Sequence, residues 1–202
     1  MKKIFFILAP LAVAAGMAFT VNNDPLTIGS KMPKADVKMK DVSGEAISMK
    51  DAAKENGVLV MFSCNTCPYV IKNQERTIAI SDFAKKNKVG VIVLNSNEAQ
   101  RSGDDSFDAM KEYAKDQKYN WSYVVDQNHE VADAFGANRT PEVFLFNKDL
   151  TLVYHGAIDD NPSDAAAITR NHLKEALKEL AGGKEVSVKE SRSVGCTIKR
   201  NK

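Results

Sequence analysis

Two stretches of this chain are apolar without interruption: residues 58–62 (VLVMF), just after Gly57, and residues 89–94 (VGVIVL). Short unbroken apolar runs are the pattern of strands buried on both faces, because the usual in-out alternation disappears when both faces meet core. From Pro68 the pattern turns helical, with Ile71, Ile78 and Ala79 on one side and charged residues on the other. A polar loop follows at 95–105 (NSNEAQRSGDD), then a helix over 106–116, a third strand over 121–125 and a short helix over 129–135. Residues 143–146 and 150–154 predict a hairpin across Asn147-Lys148-Asp149. A last helix is predicted over 163–180, with Leu173, Ala176, Leu177 and Leu180 on one face, Pro162 at its start and Gly182 beyond its end. Upstream, residues 22–40 read as an extended lead-in, and Asp41-Val42-Ser43-Gly44 as the turn of a β-hairpin whose return strand covers 46–49. Strands alternating with helices predict an α/β fold: a central mixed sheet with helices on both faces, extended by the N-terminal β-hairpin.

The extreme N-terminus departs from this pattern. Lys2 and Lys3 precede an apolar run that contains Pro10, and small residues follow at Ala12-Val13-Ala14 and Gly16-Met17-Ala18. This is the layout of a secretory signal peptide, read over residues 1–18. Residues 19–183 are then the folded domain, and 184–202 a charged tail that carries Cys196. The run of 16 residues over 4–19 is short for a membrane span. The processed chain is therefore expected in the periplasm or another extracytoplasmic space, with no stable span. Composition narrows the classes further. With 44% hydrophobic residues among 202 and a net charge of +2, a disordered or fibrous chain is excluded. Without Lys2 and Lys3, basic and acidic residues are equal in number and interleaved, so nucleic acid is not an expected partner.

The chemistry lies in Cys64-Asn65-Thr66-Cys67-Pro68, between a buried strand and a helix. A thiol there meets unpaired backbone N–H groups and the positive end of the helix dipole, both of which favour thiolate. Thiolate is the form that attacks disulfides and peroxides. The two-residue spacing lets the second sulfur close a disulfide on the first. A purely structural C-x-x-C bridge would close a very small loop and stabilise little. A zinc site would need two further ligands, and Cys196, His129, His155 and His172 are not paired at ligand spacing, so no metal is expected. No G-x-x-x-x-G-K, G-x-G-x-x-G or H-E-x-x-H motif occurs, and no bound cofactor is expected either. Electrons must then come from a separate thiol donor protein. Accessory candidates are Cys196 (a resolving thiol, or merely a docked one), Arg139 (to stabilise a thiolate or bound peroxide, or a solvated loop residue) and His155 (a proton shuttle, a metal ligand, or a surface hydrogen-bonding residue). His129 and His172 are read as surface residues in helices without partners.

A C-x-x-C at a strand-to-helix junction, with Thr140-Pro141 preceding the strand Glu142-Val143-Phe144-Leu145-Phe146, resembles the thioredoxin superfamily. Its redoxin and peroxiredoxin-like (AhpC/TSA-type) branch is the most similar, on Gly29-Ser30-Lys31-Met32-Pro33, the hairpin at Asp41-Val42-Ser43-Gly44, the segment around Cys64 and Cys67, and Gly195-Cys196-Thr197-Ile198-Lys199. The resemblance implies a thioredoxin-like fold, a cis peptide at Pro141, and substrate binding along Thr140 and Pro141. Two departures stand out. Met61 falls where thioredoxin has an acidic residue beneath its cysteines, so Glu142, Asp159 or water is left to handle protons. The same alignment puts Cys67, not Cys64, at the attacking position, and Cys67-Pro68 also resembles the peroxidatic Cys-Pro of peroxiredoxins. Either cysteine can be the nucleophile on these grounds. The implied function is thiol–disulfide oxidoreductase, acting on a protein thiol or disulfide partner. The alternatives are a thiol peroxidase with Cys67 as the peroxidatic residue, and a non-enzymatic copper chaperone using Cys64, Cys67 and His155.

Overall fold

The computed structural model describes residues 24–201, and the leader read over 1–18 lies outside them. At the centre are the two unbroken apolar runs. β3 (Val58–Ser63) and β4 (Gly90–Asn95) pair in parallel, and every residue of both is buried. β5 (Ser122–Val125) continues the parallel set. On the other side of β3 lies β7 (Glu142–Phe146), antiparallel, followed by β8 (Leu152–Gly156). The N-terminal hairpin, β1 (Met39–Asp41) and β2 (Ala46–Ile47), closes the far edge by pairing β1 antiparallel to β5. The sheet order is β2-β1-β5-β4-β3-β7-β8.

The period of two along a strand sorts the core into two layers. Val58, Val60 and Phe62 of β3 face one layer with Met49 and Ala52 of α1 (Met49–Ala52) and Val131, Ala132 and Phe135 of α5 (Glu130–Phe135). Leu59 and Met61 face the other, filled from α3 (Gln74–Lys86), α4 (Phe107–Asp116) and α6 (His172–Ala181) by Ile80, Met110, Leu173 and Leu177. Helices thus cover both faces, which is why β3 carries no polar alternation. Among the described residues no helix is long and apolar enough to cross a membrane.

Three elements differ from the sequence reading. The return strand read over 46–49 stops at Ile47, where Ser48 caps α1 and Met49 begins it. The helix from Pro68 is two helices, α2 (Pro68–Lys72) and α3, broken at Asn73, whose side-chain amide donates to the Tyr69 carbonyl at 2.7 Å. The break shifts the helical phase. Ile71 is consequently 56% exposed and Ala79 exposed, while Gln74, Thr77, Ile80, Ser81 and Ala84 face inward. The last helix begins at His172, not at 163. Before it, Asn161 Oδ1 accepts the Ser163 and Asp164 N–H groups, Asp164 caps Ala166, and Asp160 accepts the Thr169 N–H. Such local side-chain bonds compete with helix, and Ala165, Ala166 and Ala167 offer no core-facing stripe to offset them. The 95–105 loop is polar as read, but its ends turn inward: Asn95, Ser96, Asn97 and Asp105 are buried while Ser102, Gly103 and Asp104 are exposed.

Candidate functional site

β3 ends at Ser63, and the chain then turns through Cys64, Asn65 and Thr66 to Cys67, the N-cap of α2, with Pro68 at its first position. A proline there costs no hydrogen bond, because the first N–H groups of a helix are unpaired anyway. Across from this turn lies β6 (Arg139–Thr140), followed by a cis peptide to Pro141. Thr140 touches both cysteines: its Oγ1 lies 3.4 Å from Cys64 Sγ, and its carbonyl accepts from the Cys67 thiol at 3.2 Å. All three cysteines are free thiols.

The third arrives from the tail. β9 (Cys196–Thr197) pairs antiparallel with β6, placing Cys196 opposite Thr140 and packing it against the cluster of Cys64, Cys67 and Val70. The edge of Thr140 is therefore occupied by the chain's own tail. The approach demands glycine at 195, where a Cβ would lie 2.2 Å from the Thr140 carbonyl oxygen. Residues 184–201 dock on the domain: Val186 and Ile198 are buried, Ser191 Oγ bonds the Tyr154 hydroxyl at 2.7 Å, and Arg200 Nε donates to Asp133 at 2.8 Å.

Electrostatics separates the three sulfurs. The Cys67 thiolate accepts from the Cys64 thiol first, then from the Cys196 thiol and the Val70 N–H, and these donors outweigh burial and hold it well below the ordinary thiol range. Burial opposes them, and the Thr140 hydroxyl adds a smaller lowering effect. Cys64 is pushed far up, because its proton is the one held against Cys67, because it is buried, and because Asp105 puts a negative charge nearby. Burial, and then the neighbouring Cys67, raise Cys196 to about 11.

Asp105 is a residue the sequence reading missed. Fully buried, it accepts the Asn65 N–H at 2.9 Å and the Asn95 side-chain amide at 2.7 Å on Oδ1, and the Asn97 amide at 2.8 Å on Oδ2. It thereby fixes the backbone between the two cysteines. The Tyr123 hydroxyl completes the cluster by donating to Asn65 Oδ1 at 2.8 Å. No motif marks Asp105; in sequence it is one of two adjacent acids in a polar loop.

Most of the remaining sequence candidates have partners of their own. His155 is buried rather than on the surface. Its ring stacks on Phe144, 4.4 Å between centroids, and its Nε2 lies 2.8 Å from Glu142 Oε1. Glu142 Oε2 accepts the N–H groups of Asn138 and Arg139 at 2.8 and 3.0 Å, so this carboxylate holds the loop leading to Thr140 and is committed as an acceptor. Asp159 is likewise committed, to Arg76 at 2.7 Å in a buried ion pair. Arg139 is exposed and points at the Gly195 carbonyl, 3.4 Å away, which ties it to the tail. His129 does have a partner, Asp133 at 2.7 Å, and half-buried His172 lines a cavity of about 270 Å³ beside Pro141 with Asn73, Asp159 and Arg192. A larger cavity of about 550 Å³ opens at the opposite end of the sheet, where Gly90 and Ser122 begin their strands. Among the described residues no group of three or more His, Cys, Asp or Glu side chains is placed to hold a metal ion.

Comparison with known proteins agrees with this geometry at the level of fold and family. The family model described as Redoxin matches residues 27–176. An uncharacterized conserved protein from Geobacillus kaustophilus is 30% identical, over 87% of this chain and 93% of its own, with a TM-score of 0.80. A hypothetical protein from Sinorhizobium meliloti is 28% identical over 88% and 97% of the two chains, with a TM-score of 0.78. The thioredoxin domain of a thiol-disulfide oxidoreductase from Bacteroides vulgatus shares the fold at 18% identity, over 64% of this chain and 88% of its own, with a TM-score of 0.52. No curated protein matches the chain.

Proposed function

Because the chain belongs to the Redoxin family, we propose that it is an exported thiol–disulfide oxidoreductase whose redox pair is Cys64 and Cys67, with Cys67 the attacking thiolate. The observation that carries this reading is the placement of Cys67: it caps the helix at Pro68, bonds the Thr140 carbonyl just before the cis peptide to Pro141, and packs in one cluster with Cys64, Val70 and Cys196. Cys64, held as a thiol 3.4 Å from the Thr140 hydroxyl, is the resolving partner. The Cys67 thiolate attacks an oxidised substrate, and Cys64 then attacks Cys67 Sγ and releases the product, leaving a disulfide that a thiol donor protein reduces. Export rests on Lys2 and Lys3 followed by the apolar run over 4–19. The copper-chaperone alternative needs His155 beside the two cysteines, and among the described residues no three His, Cys, Asp or Glu side chains are placed together to hold a metal ion.

One observation favours the peroxidase form of the same chemistry. Cys67 is only 3% exposed, so a hydroperoxide reaches its sulfur more readily than a protein disulfide does. Stopped-flow oxidation of the reduced protein tests both forms. Peroxide is expected to oxidise it orders of magnitude faster than it oxidises an ordinary exposed thiol, and faster than oxidised glutathione does. Fast reaction with the disulfide alone would return the protein to disulfide exchange. Rates no better than a free thiol with either oxidant would remove the redox reading.

A further inference from the structure

Three sulfurs share one small apolar pocket, Cys64, Cys67 and Cys196, with Val70 and Tyr69 packed around them. A redox pair needs two. Cys64 is 2% exposed and Cys67 3%, so neither sulfur presents a surface to another protein's thiol. Cys196 is half-buried and packs against the cluster of Cys64, Cys67 and Val70. The strand that carries it is held on both sides, by the Ile198 N–H on the Asn138 carbonyl at 3.1 Å and by Arg139 on the Gly195 carbonyl, and glycine at 195 allows the close approach to Thr140.

We propose that Cys196 is a third redox cysteine, a relay thiol through which a protein dithiol withdraws oxidising equivalents from Cys67. The proposal rests on the reading of Cys67 as the attacking thiolate. A hydroperoxide gives its terminal oxygen to that thiolate: an S–O bond forms, the O–O bond breaks, and the leaving alkoxide or hydroxide takes a proton. Cys67, oxidised by two electrons, is now a sulfenic acid. Cys196 loses its proton to solvent and attacks Cys67 Sγ; the S–S bond forms, the S–O bond breaks, and hydroxide leaves as water with that proton. Where Cys64 has resolved first, the Cys196 thiolate attacks Cys67 Sγ in the Cys64–Cys67 disulfide, and Cys64 departs and takes up the proton that Cys196 gave. A thiolate of the external dithiol then attacks Cys196 Sγ, on the less buried residue of the bridge, and Cys67 leaves. Its second thiol closes the dithiol's own disulfide and frees Cys196 with two electrons restored.

Burial favours Cys196 as the residue a partner reaches, and leaving-group strength favours the final step. Attack by Cys196 requires a proton to depart, and Cys196 is half-buried whereas Cys64 is enclosed. In the last step the more stabilised thiolate leaves faster, and Cys67 is the most stabilised of the three.

The test is a disulfide map. The reduced protein is oxidised with one equivalent of hydrogen peroxide, its free thiols are alkylated, and it is digested with trypsin without reduction. The relay predicts a bridge joining segment 55–72 to segment 193–199, with Cys64 alkylated. Cys64→Ser still forms that bridge, and Cys196→Ser slows reduction of the oxidised protein by a protein dithiol such as thioredoxin at least tenfold. A bridge confined to Cys64 and Cys67, with Cys196 alkylated, overturns the relay and leaves the reading of Cys67 standing. Equal reduction rates for Cys196→Ser and the parent protein also overturn it. Three alkylated cysteines after peroxide treatment would instead overturn the redox reading on which the relay rests.

Discussion

Cys67→Ser abolishes turnover, by at least about 10³-fold, while the fold survives. A serine hydroxyl fits the N-cap and still bonds the Thr140 carbonyl, so the loss is chemical: a hydroxyl does not ionise where the thiol does. Cys64→Ser behaves differently. Its hydroxyl can still donate to the Cys67 thiolate, so the first oxidation of Cys67 persists within about tenfold of the parent rate, while the bond between positions 64 and 67 can no longer form. Single-turnover oxidation of the two variants, followed by mass spectrometry of the product, separates these outcomes. Oxidation of Cys64 in the Cys67→Ser protein at the parent rate would reverse the assignment of nucleophile and resolver.

The largest stability effect is expected at a residue that touches neither substrate nor solvent. Asp105→Ala removes the acceptor of three buried donors at once: the Asn65 N–H and the side-chain amides of Asn95 and Asn97. A buried donor left unpaired costs about 1–3 kcal/mol. Some of that is recovered by rearrangement or an entering water, so the expected loss is about 3–5 kcal/mol. The damage also spreads. Asn97 Oδ1 accepts the Lys199 N–H at 2.8 Å, so a loosened Asn97 loosens the tail just beyond Cys196. Urea unfolding of the reduced protein measures the loss, and a change below about 1 kcal/mol would show that the carboxylate is not the hub of this cluster. Asp105→Asn isolates the charge. It removes the negative group that opposes ionisation of Cys64, so the Cys64 thiol becomes more acidic even where the fold is kept.

What could be read in the sequence was local. Residues 58–62 and 89–94 gave their strands away because a strand covered on both faces has no polar positions, and both faces of β3 and β4 are covered by helices. Cys67-Pro68 marked a helix start, because proline belongs at the first position and the residue before it caps. What could not be read depends on contacts distant in sequence. Asp105 meets Asn65 across 40 residues, and nothing in Asp104-Asp105 distinguishes the exposed acid from the buried one. His155 reads as a surface histidine until Glu142 and Phe144 are brought beside it by the β7–β8 pairing. The tail carries a charged pattern because one side of it faces solvent, yet Ile198 and Cys196 reach the core and the site between those charges. Ile71 was misread for a local reason: a kink at Asn73 changes the phase of a helix, and periodicity taken across it assigns the wrong face.

The central claim is that Cys67 is a stabilised thiolate, and a pH titration of the ultraviolet thiolate absorbance tests it without needing any reagent to reach the buried sulfur. The signal attributable to Cys67 is the difference between the reduced parent protein and Cys67→Ser. Because the neighbouring donors hold its ionisation below the ordinary range, the thiolate is fully present at neutral pH and lost only as the pH falls through the lowered value. The difference signal is expected to be fully developed at neutral pH, to hold as the pH falls below the ordinary thiol range, and to disappear only in acid. A signal that vanishes as the pH falls through about 8.5, as for an unperturbed thiol, would contradict it.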